Sequence, residues 1–221
     1  KIDFSRCPEG KEFFGKAFRE GPTRADGARP LADALVAITG YSRYIVAERH
    51  PKKRITIEHC AYSSRVIDLT LGQVLQVQNH DKDMHGPAIA DHAMPALMLA
   101  PPGGDPVEVF PAKPGLTFLT DKMGPPWMLV EVFTLLHPLH AVTDREGHYR
   151  VDGVPTEDAD HHPIEGLMLT VLHRGVGAQS TKTVPHLTAN VVEHLDVTLE
   201  NHPVDAGSKP VDAGKRVQII H

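Results

Sequence analysis

Residues 59–89 read HCAYSSRVIDLTLGQVLQVQNHDKDMHGPAI, residues 109–133 read VFPAKPGLTFLTDKMGPPWMLVEVF, and residues 137–155 read HPLHAVTDREGHYRVDGVP. These stretches decide the fold class. Ile67 to Leu71 alternates, Gly72 breaks the run, and Val74 to Gln78 resumes it. Such period-two runs, bounded by Gly, Pro and Asn, mark half-buried strands. Ile55 to Ile57 alternates too, Leu35 to Ile38 is a short apolar run ending at Gly40, Val107 to Phe110 and Leu116 to Leu119 are further strands, and Met128 to Leu136 is a strand apolar on both faces. Leu167 to Leu172, Thr181 to Val184 and Val191 to Leu199 supply further strands. Thr143 to Val151 reads as a hairpin turning at Gly147. Lys11 to Arg19, with Phe13, Phe14 and Phe18 on one side, reads equally as one helix or as an irregular arm. The chain therefore reads as all-β.

Composition excludes several classes. The 221 residues suffice for one large domain or two small ones. A net charge of −5 with no Lys/Arg stripe gives no footprint for nucleic acid. Apolar runs such as Trp127 to Val130 fall far short of a membrane span, so no transmembrane segment is expected. HExxH, GxSxG, GxGxxG and phosphate-loop motifs are absent, and no CxxCH marks haem attachment. The expectation is a non-enzyme. A start at Lys1 rather than Met accords with either a removed secretory signal or an expression boundary.

The two cysteines, Cys7 and Cys60, have neither CxxC nor metal-ligand spacing. One reading is a reactive thiol or ligand. The other, which we expect, is a disulfide tying an N-terminal arm to a core strand. Such a bond persists in an oxidising compartment. The fifteen histidines are scattered. His137 and His140 need not converge on an extended segment, and His161-His162, in a loop with Glu157, Asp158 and Asp160, suits at most an adventitious divalent ion.

Residues 31–136 resemble the plastocyanin-like, methylamine-utilisation type of cupredoxin domain. The resemblance lies in Cys60 before Tyr62, the strand–Gly–strand of Val66 to Val77, Asn79 and Asp81 ahead of His85, the Pro114-Gly115 turn, and Trp127-Met128 before an apolar strand. Residues 137–200 resemble the carboxypeptidase-regulatory, prealbumin-like module, through His137-Pro138, Ala141 to Asp144, Gly147 and Gly153 to Pro155. The resemblance implies a cupredoxin-like Greek-key sandwich and a small prealbumin-like β-sandwich, and the flanking residues 1–30 and 201–221 read as extended arms. The tail carries PVDAG twice, at Pro203–Gly207 and Pro210–Gly214.

The same resemblance implies a copper site that is degenerate here. Type 1 copper uses a thiolate and two imidazoles, with a weak axial thioether. His85 matches the first histidine and Met128 the axial methionine. The family cysteine falls at Lys122 or Thr120 and the second histidine at Pro125, none of which serves. Met123, with Met84, Met94 and Met98 nearby, adds thioethers suited to Cu(I). No cofactor is expected, with copper left as the open ligand. A kept scaffold, lost redox ligands and long arms together imply a periplasmic or otherwise extracytoplasmic binding or assembly subunit. Its expected partner is a membrane-associated redox or electron-transfer complex. The alternative is a Cu(I)-binding protein using His85 and methionines.

Overall fold

A computed structural model of the chain describes residues 3–5, 7–40, 51–90, 98–200 and the backbone of 216–219. The chain is nearly all β. One five-residue helix, α1 (Gly10–Phe14), precedes the strands β1 (Arg29–Pro30), β2 (Leu35–Thr39), β3 (Lys53–Glu58), β4 (Ala61–Tyr62), β5 (Val66–Thr70), β6 (Leu75–Asn79) and β7 (Pro87–Ile89). Next along the chain are β8 (Val107–Val109), β9 (Gly115–Asp121), β10 (Leu129–Leu135), β11 (His140–Val142), β12 (Met168–His173), β13 (Ala178–Thr183), β14 (Val197–Glu200) and β15 (Arg216–Ile219). The helix is shorter than the 11–19 segment, ending at Phe14, with the Gly15 N–H donating to the Lys11 carbonyl at 2.8 Å.

The first compact unit comprises Lys1–Lys16 and Ala47–Pro138. Its two sheets run β5-β10-β9-β7 and β4-β3-β6-β8. Strand β10 pairs parallel with β5 and antiparallel with β9. Alternation does the folding work: in β6, Leu75, Val77 and Asn79 turn inward while Gln76 and Gln78 do not. The inward rows share one core that includes Ile57, Tyr62, Leu69, Leu75, Leu119, Met128 and Val130. Burying each such leucine stabilises the unit by about 1.5–3 kcal/mol. Buried Asp68 on β5 is held by the Lys53 ammonium, which also donates to the Asp68 carbonyl at 3.1 Å.

The second unit comprises Ala17–Val46 and Leu139–His221. Its sheets run β11-β2-β12-β13 and β1-β15-β14. The expected boundaries at residues 30 and 136 are therefore corrected. Strand β2 lies antiparallel between β11 and β12, so residues 31–39 belong with the second unit and not with 47–136. The Thr143 hydroxyl fastens this segment, donating to the Leu31 carbonyl at 2.7 Å and accepting the Ala34 N–H at 2.9 Å. Arg19 grips buried Asp33 through two nitrogens.

The arms are corrected too. Phe14 packs against the first core and Phe18 against the second. Strand β15 sits at the centre of a three-stranded sheet, parallel to β1 and antiparallel to β14. The tail's end is thus a strand of the second unit. Met94, both PVDAG copies, Ile220 and the side chains of Val217 and Ile219 lie outside the described residues. The expected hairpin at 143–151 is instead a tight turn. The Asp144 carboxylate accepts the N–H of Glu146 at 2.9 Å and of His148 at 2.8 Å, and Gly147 takes φ +79°.

Candidate functional site

The chemistry of the first unit gathers at one end of its strands. Three segments meet there through backbone bonds. The His85 N–H donates to the Ala100 carbonyl at 3.2 Å, and the Ala100 N–H returns a bond at 2.8 Å. The Lys122 N–H donates to the Gly86 carbonyl at 2.8 Å. This brings His85 beside the end of β9, where Asp121 points inward.

His85 is 4% exposed and Asp121 is buried. The His85 Nδ1 contacts the Asp121 Oδ2 directly. The other carboxylate oxygen accepts the Gly86 N–H at 2.8 Å and the Met123 N–H at 2.9 Å. On the far side of the ring, Nε2 lies 3.4 Å from Asp81 Oδ2 and makes no hydrogen bond of its own among the described residues. Asp81 also accepts the His59 N–H at 2.7 Å and the Cys60 N–H at 2.9 Å. Both of those residues are non-glycine in the left-handed region, at φ +52° and +55°. Such a turn is costly and needs anchoring of this kind. Asn79 locks the loop, donating to the Asp83 and Ala100 carbonyls at 2.8 Å each and accepting the Asp81 N–H at 2.8 Å.

A neutral imidazole donates through one nitrogen only. Here both nitrogens face carboxylates, so the doubly protonated ring is favoured. Burial opposes that charge and is the largest single influence on His85, but the Asp121 hydrogen bond and the charges of Asp121 and Asp81 raise its pKa above the ordinary histidine value. Burial likewise pushes the Asp121 carboxyl up, while His85 and the Gly86 and Met123 N–H groups draw it below the ordinary aspartate value. Burial, then the Asp121 charge, pushes the Tyr62 phenol far up, and its hydroxyl donates to the Thr120 carbonyl at 3.2 Å.

These shifts give a pH prediction. A raised histidine pKa adds stability that is complete below the unfolded value, about 6.5, and is lost as pH rises through the folded one. A depressed aspartate pKa adds stability above about 3.9 that is lost as pH falls through the folded one. Both contributions hold together between about pH 4 and 6.5. Urea midpoints of the protein and of His85→Gln should lie further apart at pH 5.5 than at pH 8.5. Equal gaps would show that the ring is not held charged.

Met128 is 1% exposed and packs in the core at the start of β10. It borders the pair: a Cβ on Gly124 would lie 2.4 Å from Asp121 Oδ2 and 3.0 Å from Met128 Sδ. Glycine at 124 is therefore required by close approach. Met123 is 51% exposed, and its backbone N–H donates to Asp121. Met84 and Met98 are also exposed. Lys122 is exposed and Pro125 is half-buried, while Thr120 hydrogen bonds within the sheet. The residue that fills the place beside His85 is Asp121, which the reading of Lys122 and Thr120 passes between.

A type 1 copper centre does not fit these donors. Cys7 and Cys60, the chain's two cysteines, are bonded to each other, so no thiolate exists to bind copper. The His85 Nδ1 is taken by a carboxylate. Elsewhere, Asp158, Asp160 and His162 place ligand atoms within 4.8 Å of one another on an exposed loop. His137 belongs to the first unit and His140 to β11 of the second.

No protein-family model and no curated protein matches the chain. Solved structures similar to it include a copper-containing nitrite reductase, a purple cupredoxin and amicyanin. A copper-containing nitrite reductase from Thermus scotoductus SA-01 is 14% identical over 43% of this chain, with a TM-score of 0.32. The match spans 25% of that reductase's own length. A purple cupredoxin from Nitrosopumilus maritimus is 17% identical over 38% of this chain and 99% of its own, with a TM-score of 0.33. Amicyanin from Paracoccus versutus is 15% identical over 44% of this chain and 97% of its own, with a TM-score of 0.33.

Proposed function

We propose that this chain is a non-catalytic, extracytoplasmic protein. In this reading a cupredoxin-like unit and a prealbumin-like unit serve as a binding or assembly subunit of an envelope-associated redox or electron-transfer complex. One observation carries the reading: the Asp121 carboxylate occupies the His85 Nδ1. An imidazolium held between carboxylates stores no electron and is too buried to meet a substrate. A scaffold of this kind offers surface rather than redox chemistry. The Cys7–Cys60 disulfide supports an oxidising compartment.

Met84, Met98 and Met123 favour a second reading, because their exposed thioethers lie on or beside the segments joined around His85. Thioethers select Cu(I). Titration separates the two. Stoichiometric Cu(II) should give no intense blue charge-transfer band, and Cu(I) should bind no more tightly to the protein than to a variant with the three methionines changed to leucine. Native purification should bring down a membrane complex and no stoichiometric copper. A blue band would overturn the assignment of Asp121. Tight, methionine-dependent Cu(I) binding without a partner would establish the second reading.

A further inference from the structure

The N-terminal segment of the first unit is cross-linked to the rest of that unit by one disulfide, Cys7–Cys60. Helix α1 spans only five residues, too few to hold its shape alone. The segment lies on Trp127, the residue before Met128. The Trp127 indole N–H donates to the Asp3 carbonyl at 3.0 Å, and the Phe4 and Phe14 rings pack on it at 4.9 and 5.3 Å between centroids. Gly10 lets the indole come close, since a Cβ there would lie 2.3 Å from the ring. The Arg65 side chain reaches the Phe13 carbonyl, with its guanidinium 5.6 Å and 5.7 Å from the Phe13 and Phe14 ring centres. The covalent hold is Cys7–Cys60, both ends of which are partly exposed. Cys60 sits in the left-handed turn that Asp81 steadies.

We propose that residues 3–5 and 7–16 form a strap latched by Cys7–Cys60 over Trp127, and that a dithiol reductant releases it. A thiolate of the reductant attacks one sulfur and expels the other cysteine as a thiolate. The reductant's second thiol then displaces the mixed disulfide. Cys7 and Cys60 end as thiols with the two electrons and two protons, and the reductant leaves as a disulfide. Freed, the strap exposes Trp127 and Phe14, an apolar patch on the connection between Asp121 at the end of β9 and Met128 before β10. This device stands independently of the assembly role proposed above.

Trp127 is the single tryptophan of the chain, so its fluorescence reports on the strap directly. Dithiothreitol added to the full chain should shift the emission to the red and open trypsin cleavage after Lys11 and Lys16, with the far-UV strand signal kept. Gly10→Val, which drives a side chain into the indole, should give the same shift with the disulfide intact. The Cys7→Ala/Cys60→Ala double variant should match the reduced protein without reductant. The proposal fails if the reduced protein keeps its emission and its trypsin resistance, for then the aromatic contacts hold the strap unaided. It fails equally if reduction abolishes the strand signal, for then the bond is a staple of the whole unit.

Discussion

Asp121→Ala should lower the stability of the first unit by about 3–5 kcal/mol, the cost of removing one partner from a buried ion pair. The side chain is fully buried, and its loss strands three donors at once: the His85 Nδ1–H and the N–H groups of Gly86 and Met123. Asp121→Asn separates these effects. Its amide oxygen still accepts from Gly86 and Met123, but it cannot neutralise the imidazolium, so its cost should fall nearer 1–3 kcal/mol, roughly that of one charged hydrogen bond. Urea unfolding followed by Trp127 fluorescence, at pH 5.5 where the ring is charged, measures both. If both variants unfold with the wild-type midpoint, the pair contributes nothing to the fold. If Asn costs as much as Ala, the backbone anchors are idle and the charge does all the work.

Ending the chain at residue 215 should unfold the second unit. The cut removes β15, which pairs with four residues of β14 and two of β1. Lost ladder bonds cost about 1 kcal/mol each, and stranding buried groups costs more. Val197 and Leu199 on β14 are almost fully buried and would lose the neighbour that holds their strand in place. The sum, about 4 kcal/mol or more, is a large part of a domain's stability of about 5–15 kcal/mol. Hydrogen exchange on the truncated chain should find β14 and β12 unprotected while β6, β9 and β10 stay protected. A truncated protein that keeps protection in β14 and merely loses a partner would restore the tail to the role of a docking arm.

Individual strands are legible in the sequence because their burial is local and periodic. Leu75, Val77 and Asn79 face inward as the alternation requires, and β10 falls within a run that reads as a strand, whereas every residue of β5 is buried although Ile67 to Leu71 alternates in sequence. The disulfide is legible because the chain offers each cysteine one other thiol. His85 and Met128 stand out as residues a core would have to explain, and both are buried.

Tertiary structure decides what depends on partners far along the chain. An apolar run marks Leu35 to Ile38 as a strand, but its neighbours β11 and β12 lie a hundred residues and more downstream, and only their pairing places it in the second unit. The tail reads as an arm because a four-residue strand has no pattern of its own and takes its order from β1 and β14. Asp121 escapes notice because a carboxylate next to a lysine reads as solvated turn. Its burial comes from a histidine thirty-six residues earlier and two backbone N–H groups that converge on it once the strands close. A sequence records which side chains must leave water. Which charge meets which, once they have left it, is fixed only by the contacts the fold makes.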